Sequence, residues 1–406
     1  MSLTNTADRF GSVSKTFHWL TALLILTLMP LGLVANRMAY QLRSADGPAD
    51  ELLAQTAWLF SLHKTLGVAV FFVALLRITW ALSQPKPGLL HPDRKMESLA
   101  AETVHWLLYG SLVLVPLSGW IHHAAASGFA PIWWPLGQNL PLVPKSEAVA
   151  ATFGGAHWVL TKVLALSLLL HVAGALKHHV VDKDATLPRM WFGAGPMPQT
   201  TGTHKHALPI MAALAFWALA LSGGAAIGVY ASHGDHAKGE ALADVQSDWQ
   251  VQDGSLSITV TQLGSEVTGS FADWTAAISF DETVDNGVAG TVDVTIAIGS
   301  LTLGSVTNQA MGPDYFNSTD FPTAQFVADI VPVVDGYEAQ GTLTIKGQSA
   351  PVTLPFGLSV NADSAEMRGS LTLNRLDFGV GTNMTDEASL KFAVDVDVEL
   401  SATRTP

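Results

Sequence analysis

Five mostly apolar runs dominate the first 230 positions, approximately Phe17 to Val34, Leu59 to Leu82, Val104 to His122, His157 to Leu176 and Leu208 to Tyr230. A hydrocarbon core of roughly 30 Å needs about 20 apolar residues in helical form to cross it, so each run predicts a transmembrane helix. From Trp249 onward the period changes to two. Phe392, Val394, Val396, Val398 and Leu400 alternate with Ala393, Asp395, Asp397 and Glu399, and Val292, Val294, Ile296 and Ile298 repeat the pattern. Such alternation predicts strands with one dry and one wet face. The strand-like runs are separated by Gly, Asn and Asp without a long helical pattern, so an antiparallel barrel or sandwich is expected.

Charge separates the same two parts. Residues 1–240 hold 16 Lys and Arg against 12 Asp and Glu, whereas residues 241–406 hold 5 against 22. Lys and Arg gather before run 1 (Arg9, Lys15), after run 2 (Lys86, Arg94, Lys95) and between runs 4 and 5 (Lys177, Lys183, Arg189, Lys205). The opposite side shows mainly Arg37, Arg43, Lys64 and Lys145. The positive-inside rule therefore expects a cytoplasmic N-terminus, an uncleaved first span and an exported C-terminal part. The expected organisation is a four-helix membrane domain over 1–192, a cytoplasmic linker over 193–206, a fifth helix over 207–230, a periplasmic tether over 231–247 and a barrel over 248–406. The acidic surface of the second part repels phosphate backbones and argues against a nucleic-acid partner. Membrane lipid is the expected surrounding.

The chain has no cysteine. That excludes disulfides, thiolate catalysis, iron–sulfur clusters and covalent heme attachment. Twelve of the 14 histidines precede residue 207 and none follows residue 236, so any imidazole chemistry belongs to the helices. Ionisable side chains inside a membrane are costly and point to function, and a neutral imidazole is a standard axial ligand of heme iron. His157 and His171 are 14 residues apart, close to four turns, which places them on nearly one face about 21 Å apart along the axis. His18 opens run 1 on the cytoplasmic side and His63 opens run 2 on the other. Depth thus pairs His18 with His171 and His63 with His157, predicting two bis-histidine hemes b at two levels.

The other histidines carry blander expectations. His122 and His123 end run 3 at the boundary, where solvation accounts for them. His105 is expected to make hydrogen bonds or to lie on the propionate side of a heme. His178, two turns after His171, rivals it for the cytoplasmic iron, and His179 closes the same run. His91, His204 and His206 read as loop residues. His233 and His236 in the tether could take a metal, although they lack the further ligands of a tight site.

The segment Thr16-Phe17-His18-Trp19, His63 with Gly67 and Arg77, His157-Trp158 with His171, and His178-His179 followed by Lys183-Asp184-Ala185-Thr186-Leu187 and Arg189-Met190 resemble the prokaryotic cytochrome b561 family over residues 9–190. The resemblance implies two b hemes in a four-helix bundle exchanging electrons with the quinone pool, some members being linked to superoxide oxidation with ubiquinone reduction. Arg77 would neutralise a heme propionate or serve as a positive-inside anchor. Lys64 either attracts an anion to the periplasmic heme or is a snorkelling lysine, the second being the simpler expectation.

Within 248–403, Val267 to Trp274 with Ile278-Ser279-Phe280-Asp281, Asp314-Tyr315-Phe316 with Asp320-Phe321-Pro322 and Phe326, Gly341 to Ile345 leading to Val352 and Leu354, and Leu373-Asn374-Arg375 with Asp377-Phe378-Gly379 resemble the YceI-like family of lipocalin-like isoprenoid binders. That implies a barrel around a long polyprenyl chain, with Phe316, Phe321 and Phe326 as candidate isoprenoid contacts; core packing is the plainer role for each of these and for Phe356. The stretch Thr302 to Asp320 lacks the histidine and arginine that relatives often carry there, and a diphosphate would want such cations. A neutral prenylquinone, ubiquinone or a relative, is the expected ligand.

The expected fold is multidomain: an all-α transmembrane four-helix di-heme bundle plus a fifth transmembrane helix, then an all-β antiparallel lipocalin-like barrel. The expected function is electron exchange between a periplasmic small-molecule or protein donor, superoxide among the candidates, and ubiquinone, in either direction. Two other readings compete: a non-enzymatic polyisoprenoid carrier on a heme-containing anchor or redox sensor, and metal import or reduction at the tether histidines.

Overall fold

The structure, a computed structural model, describes residues 2–43, 50–126, 130–135, 137, 139–193, 197, 198, 200, 207–231, 242, 243, 245–284 and 287–405. His204, His206, His233 and His236 lie outside the described residues, and so does the metal reading of the tether. The chain forms two compact units, one helical and one built on a β-sheet.

Among the described residues, five helices are long and apolar enough to cross a membrane: α1 (Ser12–Arg43), α2 (Asp50–Leu82), α3 (Lys95–Ala125), α4 (Glu147–Lys177) and α5 (Ala207–Ala226). The first four outrun the apolar stretches that predict them because polar ends continue the same backbone ladder. On α4, for example, Ser146 caps the N-terminus by accepting from the Val149 N–H at 3.4 Å, with Glu147 favourably placed in the first turn. As a result His63 and His157 lie well inside their helices, not at their openings. The fifth helix stops earlier than expected, at Ala226. Gly228 takes a left-handed φ of 72°, and the Tyr230 hydroxyl folds back to donate to the Leu221 carbonyl at 2.9 Å.

Ile25 of α1, Val70 and Ala74 of α2, Leu112 and Val115 of α3, and Leu160 and Leu164 of α4 fill the middle of the bundle. In lipid such packing is driven by close contact and not by expulsion of water. Small residues permit it: a Cβ on Gly110 of α3 would meet the Trp217 ring of α5 at 2.0 Å.

The second unit is a curled antiparallel barrel of ten strands. They are β1 (Trp249–Gln262), β2 (Ser265–Phe271), β3 (Trp274–Phe280), β4 (Gly290–Ala297), β5 (Leu301–Thr302), β6 (Thr323–Val333), β7 (Gly336–Ile345), β8 (Gln348–Asn361), β9 (Ser364–Asn374) and β10 (Leu390–Arg404). Their order is β3-β4-β6-β7-β8-β9-β10-β1-β2-β5. Trp249 of β1 and Ala402 of β10 pack with Ile278 and Phe280 of β3, and the Asp248 N–H donates to the Ile278 carbonyl at 2.9 Å, so the sheet curls back on its first strand. Tight hairpins fix the register. Leu263-Gly264 and Lys346-Gly347 both have two positive φ values, the geometry that matches strand twist.

Candidate functional site

The helical unit brings the predicted histidines together in two pairs. The His18 and His171 ring centroids are 6.1 Å apart, and those of His63 and His157 are 6.4 Å apart. An imidazole holds a metal about 2 Å from its nitrogen and so about 3 Å from its ring centre. Two rings on opposite sides of one iron therefore stand about 6 Å apart, and both pairs match that spacing. Neither pair is stacked, the ring planes being inclined by 59° in the first and 89° in the second.

His157 shows how the sequence builds such a position. Its Nδ1 lies 2.8 Å from the Val115 carbonyl of α3, a bond in which Nδ1–H donates and Nε2 is left as the coordinating lone pair. The ring reaches that carbonyl because position 119, one turn further on, is glycine: a Cβ there would stand 2.9 Å from His157 Nδ1. Gly32 of α1 plays the same part for His63, where a Cβ would lie 2.8 Å from Cε1. By contrast Gly67 and Gly174, close after His63 and His171, face open space. Pinched backbone against the rings with room beside them is a cradle suited to a flat macrocycle, and the donor set of neutral imidazoles without thiolate suits heme b.

Arg77 does not reach outward as an anchor would. Its guanidinium turns between helices, donates to the Thr21 hydroxyl of α1 and lies over the Tyr109 ring at 5.2 Å. Lys64 corrects a second expectation: it is buried at 8% exposure and does not snorkel. His105 sits 5.1 Å from His171, ring centre to ring centre, so one layer holds a third imidazole. His122 and His123 do lie in the last turn of α3, but both are packed and only partly exposed. His122 Nδ1 meets the Ala150 carbonyl at 2.6 Å, and the two rings pack at 4.6 Å.

His178 is removed from competition for an iron by its own partners. The chain widens into a π-helical turn over His178–Asp182, where His178 Nδ1 lies 2.6 Å from Asp184 and Nε2 lies 2.9 Å from Glu97. His91 stacks on it at 6.1 Å and also reaches Asp184, at 2.9 Å. His91, His178 and Asp184 have the spacing of a metal cluster, but Arg94 and Lys177 ion-pair the neighbouring acids Asp182 and Glu97, which makes this a charge-balanced network. Partial burial alone would raise the Asp184 carboxyl. Bonds from Thr186, His91 and His178 instead hold it well below the usual carboxylate range.

The barrel encloses a cavity of about 280 Å³ lined mainly by apolar side chains. Phe316 and Phe326 line it, joined by Phe356. Phe321 does not, which corrects its assignment as a contact. It precedes β6 in a turn where its N–H donates to the Asn317 carbonyl, and its ring lies against Gly347. Among the polar exceptions, Gln262 and Gln309 escaped the sequence reading, whereas Tyr315 and Arg375 stood in its motifs without a cavity role. Gln262 had a signal: it occupies the inward parity after Leu256, Ile258 and Val260, where period two calls for an apolar residue.

A family model described as prokaryotic cytochrome b561 matches residues 9–193, and one described as a YceI-like domain matches residues 249–403. Cytochrome b561 homolog 2 of Escherichia coli (strain K12) is 34% identical over 196 residues, which cover 47% of this chain and 95% of that protein. A probable superoxide oxidase CybB of Yersinia pestis is 26% identical over 183 residues, covering 45% of this chain and 95% of its own length. A UPF0312 protein of Pseudomonas aeruginosa (strain LESB58) is 31% identical over 175 residues, covering 39% of this chain and 88% of that protein.

Proposed function

Given that the chain belongs to the prokaryotic cytochrome b561 family over residues 9–193 and to the YceI-like family over residues 249–403, we propose that it is an inner-membrane electron-transfer protein that holds two hemes b and exchanges electrons between a periplasmic donor and an isoprenoid quinone. The single observation that carries this reading is the pair of one-iron gaps, 6.1 Å between His18 and His171 and 6.4 Å between His63 and His157. Bound heme supplies one-electron redox chemistry.

The chain's own residues would set where that chemistry occurs. Val115 fixes the His157 tautomer. Arg77, held between Thr21 and Tyr109, offers a fixed positive charge to an acidic cofactor edge on the His18 and His171 layer. Lys64, buried next to His63, gives the other layer an amine that, when protonated, would favour a small anionic donor. Superoxide, the substrate named for the Yersinia relative, is such an anion. The bias of Lys and Arg favours a cytoplasmic N-terminus, and with five spans the barrel is then periplasmic. The linker over 193–206, the fifth helix over Ala207–Ala226 and the segment from there to residue 247 would connect the two working parts. The barrel's apolar cavity would hold the quinone's isoprenoid tail beside the membrane.

Purified full-length protein tests the reading. We expect a b-type absorption spectrum, about two hemes per chain, and reoxidation of the reduced protein by added ubiquinone. Alanine at His63 or His157 should remove one heme, and at His18 or His171 the other. A colourless folded protein, or one that keeps both hemes when His157 and His171 are replaced, would end the assignment. Heme that does not react with quinone would favour the carrier reading, in which the membrane part is an anchor or sensor.

A further inference from the structure

The barrel cavity is apolar almost throughout, yet its polar groups are gathered at one end. Gln262 closes β1 at the Leu263-Gly264 hairpin and pairs with Leu390 of β10. The Leu263 N–H donates to the Ser389 carbonyl at 3.1 Å, and the Gly381 N–H donates to the Asp314 carbonyl, beside Tyr315, at 2.7 Å. Gln309 Nε2 in turn donates to the Tyr315 hydroxyl at 3.1 Å. These bonds tie the β1–β2 hairpin, the segment before β10 and the Gln309–Tyr315 stretch together at that end.

The positive charge there is already committed to structure. Arg375, 4% exposed, donates to the carbonyls of Val380 (2.9 Å), Gly381 (2.5 Å), Met384 (2.6 Å), Leu390 (3.1 Å) and Lys391 (3.1 Å). The guanidinium has five N–H donors. With them spent on the loop that follows β9, Arg375 is poorly placed to grip a phosphate or carboxylate headgroup.

Gln262 differs from these neighbours. It is 4% exposed, it lines the cavity, and among the described residues its Oε1 has no hydrogen-bond partner. Val260 precedes it on the inward face of β1 and Leu390 lies opposite, so its flanking wall positions are apolar. A buried acceptor left without a donor is costly. The cavity therefore carries an acceptor waiting for a donor at one end of an otherwise oily chamber.

We infer that this end is a headgroup site selective for the reduced, hydroxyl-bearing form of an isoprenoid quinone: a quinol hydroxyl donates to Gln262 Oε1, while the tail runs along the apolar wall toward Trp249 and Phe280. A quinone carbonyl has no proton to give to that oxygen and leaves Oε1 unpaired. The inference rests on the proposal that the barrel binds an isoprenoid quinone, and goes beyond it by assigning the redox form and the residue that selects it. Supplying one missing donor to a buried acceptor corresponds to about a tenfold preference for quinol.

The test uses full-length protein in detergent with ubiquinone-2 as the probe, kept oxidised by ferricyanide or reduced by dithionite without air. Bound probe per chain is measured by equilibrium dialysis. Ala339→Trp, which fills the cavity from its wall, supplies the background from the membrane part, and subtraction gives the barrel's share. We expect the barrel to bind the reduced probe about tenfold more tightly, and Gln262→Met to bring the two affinities together while binding persists. Equal affinities in the unaltered protein, or tighter binding of the oxidised form, overturn the inference and leave the quinone reading standing. No difference between the unaltered and Ala339→Trp proteins in either redox state overturns both. Because the ratio is read first in the unaltered protein, a misfolded Gln262→Met does not rescue the idea.

Discussion

Replacing Gly119 by alanine adds one methyl group where the His157 ring passes α3. The new Cβ would stand 2.9 Å from Nδ1 and 3.0 Å from Cε1, whereas ordinary van der Waals contact begins at 3.4 Å. The ring must give way by about half an ångström, and its shortest tie to the same helix is the 2.8 Å bond to the Val115 carbonyl. Overpacking of this kind costs about 1–3 kcal/mol, which converts to roughly a fivefold to 150-fold loss of cofactor affinity at the His63 and His157 layer. The ring is pushed off α3, so the 6.4 Å gap to His63 is disturbed as well. The assay is heme per chain by pyridine hemochrome, before and after exposure to excess apomyoglobin as a heme scavenger. The expected result is selective loss of one heme, with the other retained at the His18 and His171 layer. Gly223→Ala on α5 is the control, because a Cβ there meets nothing within 4 Å. If Gly119→Ala keeps both hemes as firmly as the unaltered protein does, the His157 ring is not held as described and the two-layer arrangement loses its footing.

Other outcomes follow from the same contacts. Arg375→Met removes five donors from buried carbonyls and should destabilise the barrel by about 3–5 kcal/mol, read as a lower barrel melting transition with the heme spectrum unchanged. Filling the cavity with Ala339→Trp should deplete co-purifying isoprenoids, measured by extraction and mass spectrometry; undiminished lipid would place the ligand elsewhere. Asp184 has a depressed pKa in the folded state, so its contribution to stability is present above the ordinary carboxylate value and is lost as pH falls through the folded one. Thermal melts from pH 7 to pH 3 should show an acid-side loss that is smaller in Asp184→Asn; identical pH profiles would show that the network with His91 and His178 contributes nothing.

The two-part architecture and the pairing of histidines by depth were readable along the chain, because apolar length and side-chain period are local properties of sequence. Membrane-spanning runs must satisfy their own backbone, so composition alone identifies five of them. Fourteen residues on a helix return to nearly the same face, which is why His157 and His171 separate into two levels before any partner is known. The family resemblance likewise offered Phe316, Phe321 and Phe326 together as contacts, but it could not tell that Phe316 and Phe326 line the cavity while Phe321 lies in a turn.

Tertiary packing decided the rest, since each outcome depends on partners that side-chain period does not name. Lys64 is buried among neighbouring helices, not in water. His178 meets Asp184 across a widened turn and Glu97 of another helix, and these partners take both of its nitrogens. Arg375 is known from the sequence only as part of a motif, but the chain between Val380 and Lys391 folds five carbonyls around it. Periodicity says which face a residue occupies. Only the folded chain says which donors and acceptors share that face, and so whether a charge or an amide is spent on structure or left for a ligand.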